Sequence, residues 1–212
     1  KKDFDIVDLE KSRRLFTAES LINRRPVPIN VEVYAVLSGI SFNANFLALM
    51  KVIHEKLHTV LEDALYYFVK PENLGVEFAV LKWPDDDYDE SVVVSAIKVL
   101  ESSKIKTFIH KIFGIQLHTD GTILFKGIDQ NCTILNLRER LVNQISGIPK
   151  RQSEWAHIPL GRILSPIGKN KMKELKQVIE EIDNEIMFDI IVDAIHLVHE
   201  KQWYMEQKNY IS

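Results

Sequence analysis

Apolar and polar positions change period several times along the 212-residue chain. Residues 31–37 (Val-Glu-Val-Tyr-Ala-Val-Leu) are β-branched, aromatic and aliphatic, the composition of a strand. Phe46, Met50, Ile53, Leu57, Val60 and Ala64 then recur at three- and four-residue spacing, which predicts a helix with one apolar stripe, capped by Asn43 or Asn45. Residues 74–81 predict a second strand, ending at Trp83-Pro84 and an acidic loop, 85–90, read as solvated and helix-starting. A helix over 92–100 follows. Residues 107–117 and 122–126 read as two strands joined by His118-Thr119-Asp120-Gly121, where Asp-Gly is a strong hairpin signal. Ile134, Leu137, Leu141 and Ile145 mark a third helix, and 157–164 a strand. Met172, Leu175, Val178, Ile179 and Ile182 mark a fourth helix. Residues 186–198 read as one strand, and 203–210 as another after a turn near Glu200-Lys201.

The predicted order is β α β α ββ α β α ββ, with single helices separating strands or hairpins twice over. That implies an α+β fold of two similar halves, each a small antiparallel-rich sheet with helices outside. Residues 1–29 are mixed and charged and end in Arg24-Arg25-Pro26-Val27-Pro28. They read as a partly helical N-terminal arm, leaving 30–212 as a single bilobal domain.

Composition narrows the function classes. At 46% hydrophobic there is enough apolar material for a core, and a net charge of −3 gives no global drive toward nucleic acid or anionic membrane. An RNA contact has to come from a local patch, and Arg138, Arg140, Lys150 and Arg151 beside Trp155 form the best one, against the plainer reading of a solvated helix face. No apolar run approaches the roughly 18 residues of a membrane span. The charged N-terminus lacks a secretion signal. One cysteine allows no intrachain disulfide, so a cytoplasmic, reducing setting is expected, with Cys132 a buried, inert thiol.

One run has metal-site spacing. His54-Glu55-Lys56-Leu57-His58 fits His-Glu-x-x-His, in which two imidazoles four apart on a helix bind zinc and the Glu activates a water. Lys56 puts a charge inside the motif, and no downstream His stands at a common third-ligand spacing. The expectation is therefore an ordinary helix whose His residues flank its apolar stripe, with no metal and no cofactor; a zinc hydrolase through His54, Glu55 and His58 is the alternative. His118-Thr119 reads as a turn-stabilising pair and His110 as partly exposed. His196 and His199 read as sheet-surface or cleft-lining residues.

The segment Ala156-His157-Ile158-Pro159-Leu160-Gly161-Arg162 carries a resemblance. Strand alternation puts His157, Pro159 and Gly161 on one face and Ile158 and Leu160 on the other. The run resembles the second signature of the 2H phosphoesterase superfamily, which reads His, any residue, Thr or Ser, often followed by Leu-x-Arg. His157, Leu160 and Arg162 match; Pro159 replaces the hydroxyl residue. The resemblance implies a two-lobed fold with one such motif per lobe, facing each other across a cleft. It also implies metal-independent chemistry on 2′,3′-cyclic or 2′–5′ phosphodiesters of RNA or nucleotides. There, two imidazoles act as base and acid, and two hydroxyls hold the non-bridging oxygens.

By element order the first motif falls on residues 75–77. Gly75 stands where the family has His, and Glu77 where it has Thr. A degenerate site follows, with His157 the one motif imidazole retained and Glu77 a substitute base. Loss of a positioned acid or base costs about 10²–10⁴-fold. The resemblance also makes Arg162, Tyr34, Gly75 and Pro159 the substrate-binding candidates, Tyr34 because the family's first strand helps to floor the cleft. The expected partner is an RNA or nucleotide ligand; a protein partner on the same fold, with no catalysis, is the alternative.

Overall fold

A computed structural model describes residues 4–40, 44–153 and 155–212. Asn43, one of the two proposed caps, lies outside the described residues. Asn45 lies inside the helix it was expected to cap, since that helix runs Ala44–Leu61.

Nine strands form two antiparallel sheets among the described residues. In chain order they are β1 (Asn30–Gly39), β2 (Tyr66–Phe68), β3 (Gly75–Lys82), β4 (Phe108–Leu117), β5 (Thr122–Asp129), β6 (His157–Ile163), β7 (Phe188–Val192), β8 (His196–Gln202) and β9 (Gln207–Tyr210). The helices are α1 (Ile6–Arg13), α2 (Ala18–Ile22), α3 (Ala44–Leu61), α4 (Glu90–Ser103), α5 (Thr133–Gln144) and α6 (Lys169–Glu185).

The first sheet has the order β3-β1-β8-β9, the second β2-β6-β5-β4-β7. The four strands β3-β1-β8-β9 correspond to β6-β5-β4-β7, with β2 an addition at the edge of the second sheet. In each, a strand (β1 or β5) is followed by a helix (α3 or α5) and returns as its own antiparallel neighbour (β3 or β6). The strand on the far side is β8, from near the end of the chain, in the first sheet and β4, the hairpin partner of β5, in the second. The expected α+β architecture of two related antiparallel sheets is therefore present, and Gly75–Lys82 and His157–Ile163 occupy equivalent places in it.

The helices form as their stripes predict. Phe46, Met50, Ile53 and Leu57 of α3 are buried, as are Met172, Leu175, Ile179 and Ile182 of α6. Asp89 caps α4 by accepting from the Ser91 N–H at 2.8 Å, so the acidic loop starts the helix as expected. Helices α3 and α6 pack together, and α5 packs on β3. At Gly121 the hairpin turn needs φ +83°, a conformation that favours glycine.

Three expectations change. Residues 186–198 are two strands in different sheets, β7 and β8, broken at 193–195. Residues 203–210 begin with a one-turn 3₁₀ segment, Trp203–Met205, before β9. The short β2 was not expected; it pairs with β6. The arm joins the body: Phe16 is part of the main core, Ser12 Oγ donates to the Asp120 carbonyl at 2.7 Å, and Arg13 donates to the Leu164 carbonyl at 3.1 Å.

Candidate functional site

Strands β3 and β6 pack against each other, and the groups that matter converge there. On β3, Gly75 pairs with Gly39 and Glu77 with Leu37. On the other side of β1, Val33, Ala35 and Leu37 pair in unbroken register with Glu200, Val198 and His196 of β8. Alternation therefore places Gly75, Glu77 and Glu200 on one face and Tyr34, which pairs with His199, on the opposite face. The expectation that Tyr34 floors the cleft is corrected. Its ring instead stacks on His199 at 4.4 Å and meets Tyr88 at 5.0 Å.

Gly75 has a packing reason. A Cβ there would sit 2.8 Å from the Ser38 carbonyl oxygen of the neighbouring strand, so an imidazole at this position would require the backbone to shift. Burial pushes the Glu77 carboxyl above its ordinary range, opposed by the Arg138 guanidinium. Glu200, only 4% exposed, is pushed by burial to about 7, with Glu77 adding to the rise, although it accepts the Met205 N–H at 2.9 Å. Two carboxyl groups that resist ionisation therefore share this face of the first sheet.

Arg138 of α5 is 6% exposed. Its Nε donates to the Phe78 carbonyl at 2.6 Å, and Nη2 donates to the carbonyls of Glu77 at 3.2 Å and Trp155 at 3.4 Å. It thus ties the outer edge of β3 to the segment entering β6. Gln152 covers the same edge through the N–H and carbonyl of Val80, which protects an edge strand from pairing elsewhere. The proposed basic cluster is dispersed: Arg138 is internal, Arg140 binds Ser102 and Gln144, and Arg151 lies over the Trp83 ring at 4.4 Å.

On β6, burial pushes the His157 imidazole below its ordinary range, and Arg138 and His118 add to the fall. The pairing of β6 with β5 skips Leu160: Leu124 opposes Pro159, and Ile123 opposes Gly161. This bulge turns the alternation over, so Arg162 shares a face with His157 and Pro159, and Gly161 does not. Gly161 lies where β2 crosses closely; a Cβ would meet the Tyr67 carbonyl oxygen at 2.4 Å.

Arg162 is engaged inside the molecule through Nε and Nη1. Its Nε donates to the Tyr204 hydroxyl at 2.8 Å, and Nη1 donates to Ser12 Oγ and to Asp120 Oδ2 at 3.2 Å. Tyr204 belongs to the turn between β8 and β9, where Tyr204 and Met205 both take positive φ, 62° and 57°. Its ring packs on Tyr67 at 5.0 Å and Phe16 at 5.9 Å. Glu206 accepts from the Tyr67 hydroxyl and from Lys70 Nζ, each at 2.5 Å. The tip of the first sheet's hairpin is thereby fastened onto the motif face of the second.

The His-Glu-x-x-His residues do something else. His54 stacks on Phe68 at 4.6 Å, and His58 hydrogen-bonds the Tyr66 hydroxyl, so one helix face lies on two β2 rings. Among the described residues no group of three His, Cys, Asp or Glu is placed to hold a metal ion. His110 is 0% exposed rather than partly exposed. His199 pairs with Glu32, and His196 meets Tyr210 edge-on. His118 serves the hairpin turn through its main chain. Cys132 is exposed, not buried, in a left-handed conformation before α5.

Sequence reasoning missed Glu200, Tyr204, Tyr67 and Glu206. A signal existed for Glu200: it lies two residues after Val198, so a buried strand face had to carry a carboxylate.

The sequence matches no protein-family model and no curated protein. Solved structures do match. TT0787 of Thermus thermophilus is 12% identical with a TM-score of 0.55, covering 85% of this chain and 95% of that one. Apo LigT of E. coli is 15% identical with a TM-score of 0.53, covering 86% and 94%. Usb1 of Kluyveromyces marxianus with uridine monophosphate is 7% identical with a TM-score of 0.52, covering 84% and 97%. The chain has the fold of these 2H phosphoesterase structures. No helix among the described residues is long and apolar enough to cross a membrane.

Proposed function

We propose that, on this 2H phosphoesterase fold, the chain is a degenerate phosphoesterase that recognises an RNA or nucleotide phosphodiester without the family's two-histidine turnover. One observation supports the reading: the two equivalent strands, which pack against each other, carry a single imidazole, with His157 and Pro159 on β6 and Gly75 and Glu77 on β3. Gly75 transfers no proton. Glu77 and Pro159 offer no hydroxyl to a non-bridging oxygen. The Glu77 and Glu200 carboxyls oppose a bound anion once ionised. Residual turnover then depends on His157, the one imidazole on the two strands, as the proton acceptor. The nucleotide class is supported by the uridine monophosphate in the Usb1 structure of the same fold.

The test is hydrolysis of 2′,3′-cyclic nucleotides and 2′–5′ oligonucleotides by the wild type, His157→Ala and Glu77→Thr. The expected result is slow turnover, at least about 10²-fold below a two-histidine enzyme, that His157→Ala removes. Fast turnover in the wild type would overturn the degenerate-site reading, and turnover indifferent to His157→Ala would remove this cleft from the chemistry.

A second reading, a non-catalytic interaction protein, is favoured by the engagement of Arg162 Nε and Nη1 with Tyr204, Ser12 and Asp120, which commits two of the three guanidinium nitrogens to contacts inside the molecule. It predicts no nucleotide binding in the cleft at all, and the same protein set distinguishes it by titration calorimetry.

A further inference from the structure

Away from the cleft, the end of α4, the start of β4 and the start of α5 line an open cavity of about 410 Å³. Its lining contains Lys106, Arg140, Asn131 and Asn136, with Phe108 and Leu137 among the apolar residues, and no acidic residue. That is unusual in a chain of net charge −3. The cavity beside the 85–89 loop is lined by four aspartates, Asp85, Asp86, Asp87 and Asp89. Among the described residues neither Lys106 nor Arg140 forms an ion pair. The partners of Arg140 are neutral: Ser102 Oγ at 3.0 Å and Gln144 Oε1 at 3.4 Å.

Asp129, at the start of the segment that leads into α5, is already committed. Asp129 accepts from the Asn131 N–H at 3.0 Å and the Ile134 N–H at 2.9 Å, so it caps the start of α5. Its charge is spent on main-chain donors, and those donors are closed to a ligand. A bound anion must therefore rest on the two side-chain cations.

We propose that this cavity is a second ligand site, independent of the cleft between β3 and β6, and that it takes the phosphomonoester of a small polar molecule. Lys106 holds the phosphate as a point charge, and Arg140 through the guanidinium N–H groups that Ser102 and Gln144 leave free. Asn131 and Asn136 each supply a donor and an acceptor to the polar remainder. Cys132, the one cysteine of the chain, is exposed and lies between Asn131 and Thr133, both of which line the cavity. It reports occupancy without any change to the site.

The experiment titrates adenosine monophosphate, then inorganic phosphate, into the intact protein by calorimetry at fixed ionic strength. In parallel it follows the rate of Cys132 labelling by a thiol reagent. Saturable binding that slows labelling is expected. Lys106→Gln, an exposed position whose change leaves the fold intact, should weaken binding about tenfold, the loss typical of one charge-assisted contact. Arg140→Lys should weaken it less than Arg140→Gln, because the charge stays while the guanidinium N–H groups are lost. His157→Ala and Glu77→Thr should leave it unchanged, which separates this site from the cleft. The proposal is overturned by absence of binding at millimolar ligand or by protection that sodium chloride reproduces at equal ionic strength. Binding that leaves Cys132 labelling unaltered, or that is lost in His157→Ala and kept in Lys106→Gln, overturns it as well.

Discussion

Arg162 and Tyr204 lie 42 residues apart and meet at 2.8 Å, guanidinium Nε to phenol oxygen. Arg162 belongs to the second sheet and Tyr204 to the hairpin tip of the first. The contact joins the two halves of the molecule on the face that carries His157. It holds a main-chain turn with two successive positive φ angles at non-glycine residues, a conformation that persists only where surrounding contacts hold it.

Tyr204→Phe removes that acceptor and keeps the ring packing. We expect a loss of about 1–2 kcal/mol in stability by urea denaturation, the scale of one hydrogen bond to a charged group. The second measurement is hydrogen exchange of the tip, which should rise while the core of α3 is unaffected. Unchanged exchange at 203–206 would show that the Tyr67–Glu206 and Lys70–Glu206 contacts fasten the tip by themselves.

Glu200→Gln tests the buried carboxyl. The folded-state value is raised from 4.5 to about 7, so ionisation is penalised by folding. A group shifted this way contributes stability below its unfolded value and loses it as pH rises through the folded one. Glu200→Gln keeps an acceptor for the Met205 N–H and never ionises. Its melting temperature should match the wild type near pH 4.5 and exceed it at pH 8. Equal melting temperatures at both pH values would show that Glu200 is ionised in the native protein without penalty.

The buried histidines act in the direction opposite to Glu200. His110 is fully buried, neither ring nitrogen has a hydrogen-bond partner, and burial depresses its basicity despite Asp129. Below the ordinary value of 6.5 the unfolded chain takes up a proton that the folded one resists, so stability falls as pH falls. His54 and His157 are depressed for the same reason and act in the same direction. His110→Leu should flatten the fall in melting temperature between pH 7 and pH 5 without lowering stability at pH 7. An acid limb as steep as that of the wild type would assign the effect to the other two imidazoles.

Gly161→Ala probes the approach of β2 to β6. The added Cβ would meet a main-chain oxygen at 2.4 Å, and a strand cannot yield as a flexible side chain does. We expect more than about 2 kcal/mol of destabilisation by chemical denaturation, with loss of the β2–β6 pairing. A cost below about 0.5 kcal/mol would mean that β2 contributes little to the second sheet.

Much of the fold was legible because periodicity is a local property. The stripe from Phe46 to Val60 and the one from Met172 to Ile182 each bury one helix face, and Asp120-Gly121 turns the hairpin. None of these depends on a distant residue. The run 186–198 was misread for the converse reason: apolar strands leaving one sheet and entering the other look continuous, and only Asp193 hints at the break.

The candidate site divides along the same line. The sequence by itself determined which groups the two motif strands carry: His157 and Pro159 on one, Gly75 and Glu77 on the other. It also determined that a two-imidazole pair is missing from them. Which side chains share the face was decided by tertiary structure. A bulge at Leu160 turns Arg162 toward His157, unbroken pairing of β1 with β8 turns Tyr34 away from Glu77, and a hairpin tip from the far end of the chain closes over Arg162. A bulge shifts every later side chain by one face, and burial sets the ionisation of Glu200. Neither effect can be read from a residue's sequence neighbours, because both depend on which strand lies beside it and on how much water the packed sheets exclude.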